Sequence, residues 1–375
     1  MKESRMVYLD NSSTTRQYDE VTKLMMNIME EDFGNPSSLH RIGIAAEKRI
    51  KTAREQMAGE LFARPEEILF TSGGTESDNS ALFSVAESRK RYGKRIITTQ
   101  VEHPAVLEPL AKLEKMGFQV IYLPVDKYCN VNIDDYKNAV TEDTILTTIM
   151  TVNNEVGTIM NIEEMYRNRG NSIFHTDAVQ AFGKMSVPKV DLISVSGHKI
   201  HGPKGIGALY IKKGLNFKPL IIGGGQEKGL RSGTENVPAI AGFGLAAELS
   251  KVKGDTKAVK AYLKAGLVDQ IKDIVVNTPE NSVDTVLNVS FLGTRSEVIL
   301  HTLEQDGIYV SSGSACSSNK KGGSHVLGAM GLDHKAIDSA IRFSLNKFNT
   351  IEDMDYVIDK VKLAVDRFRL LGSFR

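Results

Sequence analysis

Cysteine is scarce in this chain, which has two, Cys129 and Cys316, among its 375 residues. Two cysteines make no disulfide framework and cannot by themselves supply the four ligands of a structural zinc site. The eight histidines show neither HExxH nor Cx2C spacing, so no metal is expected. The scarcity of cysteine therefore predicts a reducing, cytoplasmic location.

Long apolar runs and a strong net charge are missing as well. No uninterrupted apolar stretch approaches about 18 residues, and the first residues hold no apolar core of a signal peptide. The net charge of +1 gives no support to binding of nucleic acids or anionic membranes. We expect neither a nucleic acid nor a membrane among the direct partners.

The length and the order of the patterns predict two α/β domains. A hydrophobic fraction of 41% and a charged fraction of 25% are typical of a soluble globular protein. A chain of 375 residues is longer than a domain with a single hydrophobic core usually is. Strands that alternate with helices indicate a mostly parallel sheet with helices on both faces. We predict an N-terminal segment over 1–15 that packs with the small domain, a large domain over 16–255 and a small C-terminal domain over 256–375.

The first candidate site is the end of an apolar, β-branched run at Ser196-Gly197-His198-Lys199, which a glycine-rich turn follows. A lysine amine forms Schiff bases, and its pKa falls readily when it is buried or lies beside another cation. Lys199 is therefore a candidate for holding a carbonyl cofactor. The alternative is an ordinary surface lysine in a turn.

A second candidate is the turn Ser72-Gly73-Gly74-Thr75, between a strand and the start of a helix. Successive backbone N–H groups, the Thr75 hydroxyl and the helix dipole together make an anion site. The turn lacks the GK[ST] of a Walker loop and the spacing of GxGxxG, so neither ATP nor NAD is supported. An ordinary glycine-rich turn is the alternative.

Two further side chains follow predicted strands, at the edge where ligands bind in such sheets. The His103 ring could stack on a planar cofactor or only cap the helix that follows it. Asp177 lies in an apolar stretch, where a carboxylate needs a cationic partner. That partner could be the pyridinium nitrogen of pyridoxal phosphate, or a lysine or arginine.

Cys316 lies in the polar, glycine-rich segment SSGSACSSNKKGG over 311–323. A structural cysteine is usually buried among apolar neighbours. Lys320 and Lys321 could favour its thiolate, which is the nucleophilic form. We predict that Cys316 is a reactive cysteine and that Cys129 is an incidental turn residue.

Eight segments occur here in the order in which one enzyme family carries them: TSGGTESDN, EHPAV, VNNEVG, HTDAVQ, SVSGHKIHGPKGIGALY, RSGTEN, SSGSAC and IRFSL. From YLDNSSTT near residue 8 to beyond Ile341, the chain resembles cysteine desulfurases of the NifS/IscS type, in the class V aminotransferase group. The resemblance implies the fold type I of pyridoxal-phosphate-dependent transferases. In that fold a large domain has a mostly parallel, seven-stranded-type sheet between helices, and a smaller α/β domain follows.

The resemblance also implies how pyridoxal 5'-phosphate is held. Lys199 would carry the cofactor as a Schiff base, and His103 would stack on its ring and move protons. Asp177 would pair with the pyridine nitrogen, and Gln180 would bond the phenolic oxygen. The remaining cofactor contacts would come from Gly74, Thr75, Asn154, Ser196 and His198, with Thr234 reaching the phosphate in the other subunit of a homodimer.

The implied reaction removes sulfur from L-cysteine and leaves L-alanine and a persulfide on Cys316. Asn154 and Arg342 would bind the substrate carboxylate. The sulfur would pass to a protein acceptor, either an iron–sulfur scaffold or an enzyme of tRNA or cofactor thiolation. The chain ends at Arg375 without the long tail of IscS-like members, which leaves the acceptor open.

SSGSAC is similar to the subgroup with a mobile catalytic loop, and the RxGHHC form of the other subgroup is absent. Ser12 and Ser13 replace an alanine-containing version of the N-terminal motif. Two alternatives remain: another fold-type-I enzyme, such as an aminotransferase or a selenocysteine lyase, and a non-catalytic scaffold or sulfur-relay protein. Cys316 argues against the first, and its presence together with Lys199, His103 and Asp177 argues against the second.

Overall fold

The computed structural model describes residues 5–252, 254–312 and 323–372. Within these ranges the strands are β1 Val7–Tyr8, β2 Ile68–Thr71, β3 Arg95–Thr99, β4 Gln119–Leu123, β5 Thr144–Thr148, β6 Ile173–Asp177, β7 Leu192–Ser196, β8 Gly207–Ile211, β9 Ile274–Val276, β10 Val286–Phe291, β11 Ile308–Tyr309, β12 Ser311–Ser312 and β13 Ala340–Ser344.

The helices of the same ranges are α1 Asp19–Glu30, α2 Arg41–Glu60, α3 Gly74–Arg89, α4 Pro104–Lys115, α5 Ile133–Ala139, α6 Ile162–Arg167, α7 Val237–Leu249, α8 Thr256–Gln270, α9 Ser296–Gln305, α10 His325–Ala329, α11 His334–Asp338 and α12 Ile351–Leu370. Short 3-10 turns lie at Pro65–Glu67, Gly197–Lys199 and Glu227–Gly229. Within the described ranges, none of these helices has the length and apolar character needed to cross a bilayer.

A seven-stranded sheet in the order β2-β8-β7-β6-β5-β3-β4 forms the centre of the larger lobe. The strands from β7 to β4 run parallel, and β8 is antiparallel to both of its neighbours. Neighbouring residues contribute to two separate cores, because Ile173 and Leu192 pack on one face while Phe174 and Ile193 pack on the other. Burial on both faces explains the continuous apolar strands. The predicted mostly parallel α/β sheet is confirmed.

A second, antiparallel sheet in the order β12-β13-β10-β9 has a core of its own against α8, α9 and α12. The N-terminal strand β1 pairs in parallel with β11, and Asp10 forms a bridge with Ser344 beside it. Residues 7–10 therefore pack on the C-terminal lobe before the chain enters the larger one. The domain boundaries given above stay predictions.

Candidate functional site

A cavity of about 310 Å³ lies at the carboxyl ends of β5, β6 and β7, beside the start of α3. Its walls bring together residues that are far apart in the sequence. Of the predicted site residues, those that line it are Gly74, Thr75, His103, Asn154, Asp177, Gln180, Ser196, His198, Lys199 and Arg342. The parallel strands explain the convergence, since their carboxyl ends meet at one edge of the sheet.

Lys199 ends the 3-10 turn that follows β7. Its Nζ atom donates hydrogen bonds to the carbonyl oxygens of Ser12, at 2.5 Å, and Ser13, at 2.7 Å. The N-terminal segment thus lies against the lysine and directs its amine with two backbone acceptors. This contact was not predicted, because backbone carbonyls leave no signature in the sequence.

Asp177 ends β6 and is 8% exposed. Its Oδ1 atom accepts a hydrogen bond from the N–H of Val179 at 2.9 Å. Burial raises the pKa of this carboxyl, and the nearby His103 and Lys199 oppose the rise. Within the described ranges no lysine or arginine forms an ion pair with it. A buried carboxylate of this kind suits a cationic nitrogen of a ligand.

His103 is the N-cap of α4, and its Nδ1 atom accepts a hydrogen bond from the N–H of Ala105 at 3.1 Å. The same ring lines the cavity. The two interpretations offered by the sequence, a helix cap and a ring at the site, are therefore compatible. Burial is the main reason that the pKa of His103 is lowered, so the ring favours its neutral form.

The start of α3 and the end of β7 form one polar wall of the cavity, with Gly74 and Thr75 on the helix and Ser196 and His198 after the strand. A Cβ atom at Gly74 would lie 2.8 Å from the Cγ2 atom of Val179, so only glycine fits there without displacement. Burial is the main cause that lowers the pKa of His198 to about 4. N–H groups at a helix start, with hydroxyls beside them, suit a phosphate group.

Arg342 on β13 reaches the cavity from the smaller lobe and is 3% exposed. Its Nη2 atom donates to Asp10 Oδ1 at 3.0 Å and to Ser13 Oγ at 2.9 Å. Its Nη1 atom donates to the carbonyl oxygen of Asn154 at 3.1 Å. In the described part of the chain its buried Nε atom has no hydrogen-bond acceptor. A carboxylate is the natural acceptor for such a donor.

The sequence analysis missed a buried acid and its neighbouring histidine. Asp78 lines the cavity from α3, and its Oδ1 atom lies 3.5 Å from His175 Nε2. The His175 ring contacts the hydroxyls of Thr148 and Ser194. Burial raises the pKa of Asp78 well above its ordinary range and lowers that of His175 to about 3. The signal available was Asp78 itself, a charged residue one helical turn after Gly74 on the buried face of α3.

One described residue of the predicted site, Thr234, is not in the cavity wall. Thr234 is exposed, in the loop before α7. Cys316 lies outside the described residues. The other cysteine, Cys129, is buried in a turn with φ of 63°, and burial raises the pKa of its thiol. A buried thiol with a raised pKa is a poor nucleophile, which leaves Cys316 as the candidate for sulfur chemistry.

Both described ends of the segment that contains Cys316 lie beside the cavity. Before it, Ser311 on β12 pairs with Arg342 on β13. After it, the Ser324 hydroxyl donates a hydrogen bond to Glu155, which follows Asn154. The His325 Nε2 atom also contacts the carbonyl oxygen of Glu102, next to His103, at 3.0 Å. The segment therefore starts and ends at walls of the site.

The chain matches a known protein family. The family described as "Aminotransferase class-V" matches residues 7–357. A cysteine desulfurase IscS from Methanosarcina thermophila is 44% identical over 378 residues, which cover 98% of this chain and 94% of that protein. A cysteine desulfurase from Trichormus azollae is 44% identical over 385 residues, covering 99% and 95%.

Solved structures agree with these sequence matches. A NifS-like protein superposes with a TM-score of 0.90 at 40% identity, covering 97% of this chain and all of that one (100%). A structure described as SspA in complex with cysteine has a TM-score of 0.82 at 34% identity, covering 92% and 100%.

Proposed function

We infer the course of the reaction from one premise: the chain belongs to the class V aminotransferase family and is a pyridoxal-phosphate-dependent cysteine desulfurase. Its substrate is L-cysteine, and a related structure contains that amino acid. The products we propose are L-alanine and a persulfide on Cys316.

The residues of the cavity fit pyridoxal phosphate. A pyridine nitrogen would need a carboxylate as its partner. Asp177 is a buried carboxylate that forms no ion pair with a lysine or arginine of the described ranges. Lys199 offers an amine for the aldehyde, and Gln180 would bond the phenolic oxygen. The phosphate would lie at the wall formed by Gly74, Thr75, Ser196 and His198. Bound there, the cofactor supplies an electron sink for the carbon next to the substrate amine.

The substrate carboxylate would bind Arg342 and Asn154. Arg342 is already held in place by Asp10 and Ser13, and its buried Nε atom is left to donate. Because the guanidinium is fixed before the substrate arrives, little side-chain entropy is lost on binding. This contact orients the substrate sulfur relative to Lys199.

Two side chains are placed to move the α-proton. The Lys199 amine is held by the carbonyl groups of Ser12 and Ser13, and the His103 ring lines the same cavity. Because burial lowers the pKa of His103, its ring is neutral near pH 7 and can accept a proton. Either group would take the proton from the α-carbon and return it to form alanine.

Cys316 would take the sulfur. Its thiolate attacks the substrate sulfur, a new S–S bond forms, and the C–S bond breaks with its electron pair remaining on carbon, which is then protonated. The observation that carries this proposal is the position of the two ends of its segment, at Arg342 on one side and beside His103 on the other. An extended chain spans about 3.3–3.6 Å per residue. Cys316 comes four residues after Ser312, so an extended chain would give it a reach of roughly 14 Å from the end of β12.

The test compares two single variants of the holoenzyme. Cys316→Ala should keep the visible absorbance of the bound cofactor while persulfide and alanine formation are lost. The matched control, Cys129→Ala, removes the buried thiol and should keep both products. Persulfide is detected by alkylation and mass spectrometry. Alanine and sulfide at the wild-type rate in Cys316→Ala would overturn the assignment, and amino transfer to an added keto acid would favour an aminotransferase.

We also propose that the enzyme is a homodimer in which Thr234 reaches the phosphate bound in the other subunit. The loop before it exposes apolar side chains, with Ile222 84% exposed and Leu220 42% exposed. The Ser232 N–H donates to the carbonyl oxygen of Ile221 at 3.1 Å, which ties Thr234 to this patch. Exposed apolar residues of this size mark an interaction surface.

Subunit mixing tests the dimer. Thr234→Ala and Lys199→Ala homodimers should each be impaired. A mixed dimer would regain one complete site, made from Lys199 of one subunit and Thr234 of the other. Recovery of activity on mixing supports the shared site. No recovery in mixed dimers that are isolated through a different affinity tag on each subunit would mean that Thr234 acts within its own subunit.

The persulfide sulfur would pass to a protein acceptor in the cytoplasm, either an iron–sulfur scaffold or an enzyme of tRNA or cofactor thiolation. The scarcity of cysteine supports a reducing compartment. Incubation of the enzyme carrying labelled sulfur with each class of acceptor would identify it, because only the true acceptor should be labelled faster than free thiols.

A further inference from the structure

Lys184 reaches the cofactor site indirectly, through Gln180. Its Nζ atom donates to Gln180 Oε1 at 2.7 Å, and Gln180 Nε2 donates to the carbonyl oxygen of Ser12 at 2.9 Å. The same Ser12 oxygen accepts the hydrogen bond from Lys199 at 2.5 Å. A continuous set of hydrogen bonds therefore joins Lys184 to Lys199.

This arrangement fixes which way the Gln180 amide points. An amide can present either its oxygen or its NH2 group, and the choice follows from its neighbours. A protonated lysine only donates, so the Gln180 oxygen faces the charged form of Lys184. The carbonyl of Ser12 only accepts, so the NH2 group must face the other side. Both neighbours favour the same orientation, and the hydrogen bond to Ser12 uses only one of the two N–H groups of the amide.

Lys184 approaches from a different cavity, of about 380 Å³, that lies between the two lobes. The other charged or titratable side chains that line this cavity are Tyr18, Lys199, His201, Lys257, Asp284 and Lys347. No carboxylate in the described ranges forms an ion pair with Lys184. Burial, with Lys199 and Arg342 as further causes, lowers its pKa to about 7.

Lys184 is half-buried, and a partly desolvated lysine without a carboxylate ion pair is the kind of group that concentrates at functional sites. We propose that Lys184 is a positioning residue, which holds the Gln180 amide so that an N–H rather than a carbonyl faces the phenolic oxygen of pyridoxal phosphate. This inference rests on the proposed role of Gln180. Through that N–H, and through its own positive charge, Lys184 stabilises the ionised form of the phenolic oxygen.

The readout is the pH titration of the visible absorbance of the bound cofactor, measured on the holoenzyme without substrate. A donor to the phenolic oxygen and a nearby cation both make the cofactor release its proton more easily. Lys184→Met removes the charge and one of the two contacts that orient the amide, so the midpoint at which the yellow form disappears should move up by about one pH unit, the size expected when a neighbouring charge is lost. Lys184→Arg keeps a donor and should return the midpoint toward that of the wild type.

Two comparisons separate positioning from a structural effect. Lys257→Met removes an exposed lysine from the same cavity, and the midpoint should stay unchanged. Gln180→Leu should shift the midpoint upward, and combining it with Lys184→Met should add little, because Lys184 acts through Gln180. An unchanged midpoint in Lys184→Met, or fully additive shifts, would overturn the inference.

Failure of the proposed function would look different. If the wild-type protein gains no visible absorbance with pyridoxal phosphate, or if Lys199→Ala keeps it unchanged, then the cofactor assignment itself fails. If the Lys184→Met variant does not fold, Lys184→Gln removes the charge with a shorter polar side chain and gives the same comparison.

Discussion

The ion pair between Arg54 and Glu227 should be a large single contribution to the stability of the loop that leads to Thr234. Arg54 on α2 binds the Glu227 carboxylate with both terminal nitrogens, at 2.9 and 2.5 Å. The N–H of Phe70 donates to the same carboxylate at 3.2 Å. The side chains are 18% and 5% exposed, so the pair is largely shielded from water.

The burial of the pair sets the expected magnitude. Glu227→Gln keeps the shape but leaves the Arg54 cation buried without its counter-charge. Loss of one partner of a buried pair costs roughly 3–5 kcal/mol, and the partial exposure of Arg54 favours the lower end, about 3 kcal/mol. A matched variant in an exposed pair is Asp19→Asn, since Arg16 and Asp19 are 80% and 68% exposed. It should cost about 0–1 kcal/mol.

Urea unfolding of the holoenzyme at pH 7, followed by circular dichroism, measures both losses. The double variant Arg54→Met/Glu227→Gln completes the cycle. It should be more stable than the sum of the single losses implies, because no unpaired charge remains buried. A loss below about 1 kcal/mol in Glu227→Gln, or additive losses in the double variant, would refute the argument from burial. Proteolysis within 220–234 should also become faster in Glu227→Gln.

Two further predictions concern pH. Burial lowers the pKa of His103 below its ordinary value of 6.5. The acid limb of the kcat/KM profile should therefore lie below pH 6.5 and should disappear in His103→Gln. An acid limb above pH 6.5, or one that His103→Gln retains, would remove His103 from the proton transfer. Burial raises the pKa of Glu102 from 4.5 to about 8, so the folded state holds a proton that the unfolded state releases above 4.5. The stability contributed by Glu102 is therefore present at low pH and is lost between these values, by at most about 1.4 kcal/mol per pH unit. Glu102→Gln, neutral throughout, should unfold with a flatter pH dependence in urea titrations from pH 5 to 8, and identical curves for both proteins would contradict this.

The pattern of residue types predicted the larger sheet and part of the cavity wall for one physical reason. Asp177, Ser196 and Lys199 each follow an apolar run, and the carboxyl ends of parallel strands meet at one edge. Arg342 was assigned by resemblance and not by pattern, because it lies in the other lobe. Contacts between distant segments of the chain have no local periodicity that would reveal them.

Other parts of the site could not be read from the pattern of residue types. Lys184 looks like an ordinary charged residue in a turn, and its burial depends on how the two lobes meet. Asp78 is polar on a helix face that is buried against the sheet, where the pattern alone favours an apolar residue. In both cases the side chain acquires its role from neighbours that are distant in sequence.

The N-terminal segment over 10–15 explains how the two lobes are held to one geometry. Asp10 and Ser13 fix Arg342, while the carbonyls of Ser12 and Ser13 receive the Lys199 amine. Residues proposed for the substrate carboxylate and for the cofactor are therefore anchored to the same six-residue stretch. A shift of this segment would move Arg342 and Lys199 together. The distance between the two side chains would therefore change less than the position of either one. That coupling gives a physical reason for placing the segment over 10–15 between the lobes, since the chemistry requires a constant distance between the substrate carboxylate and the reacting amine.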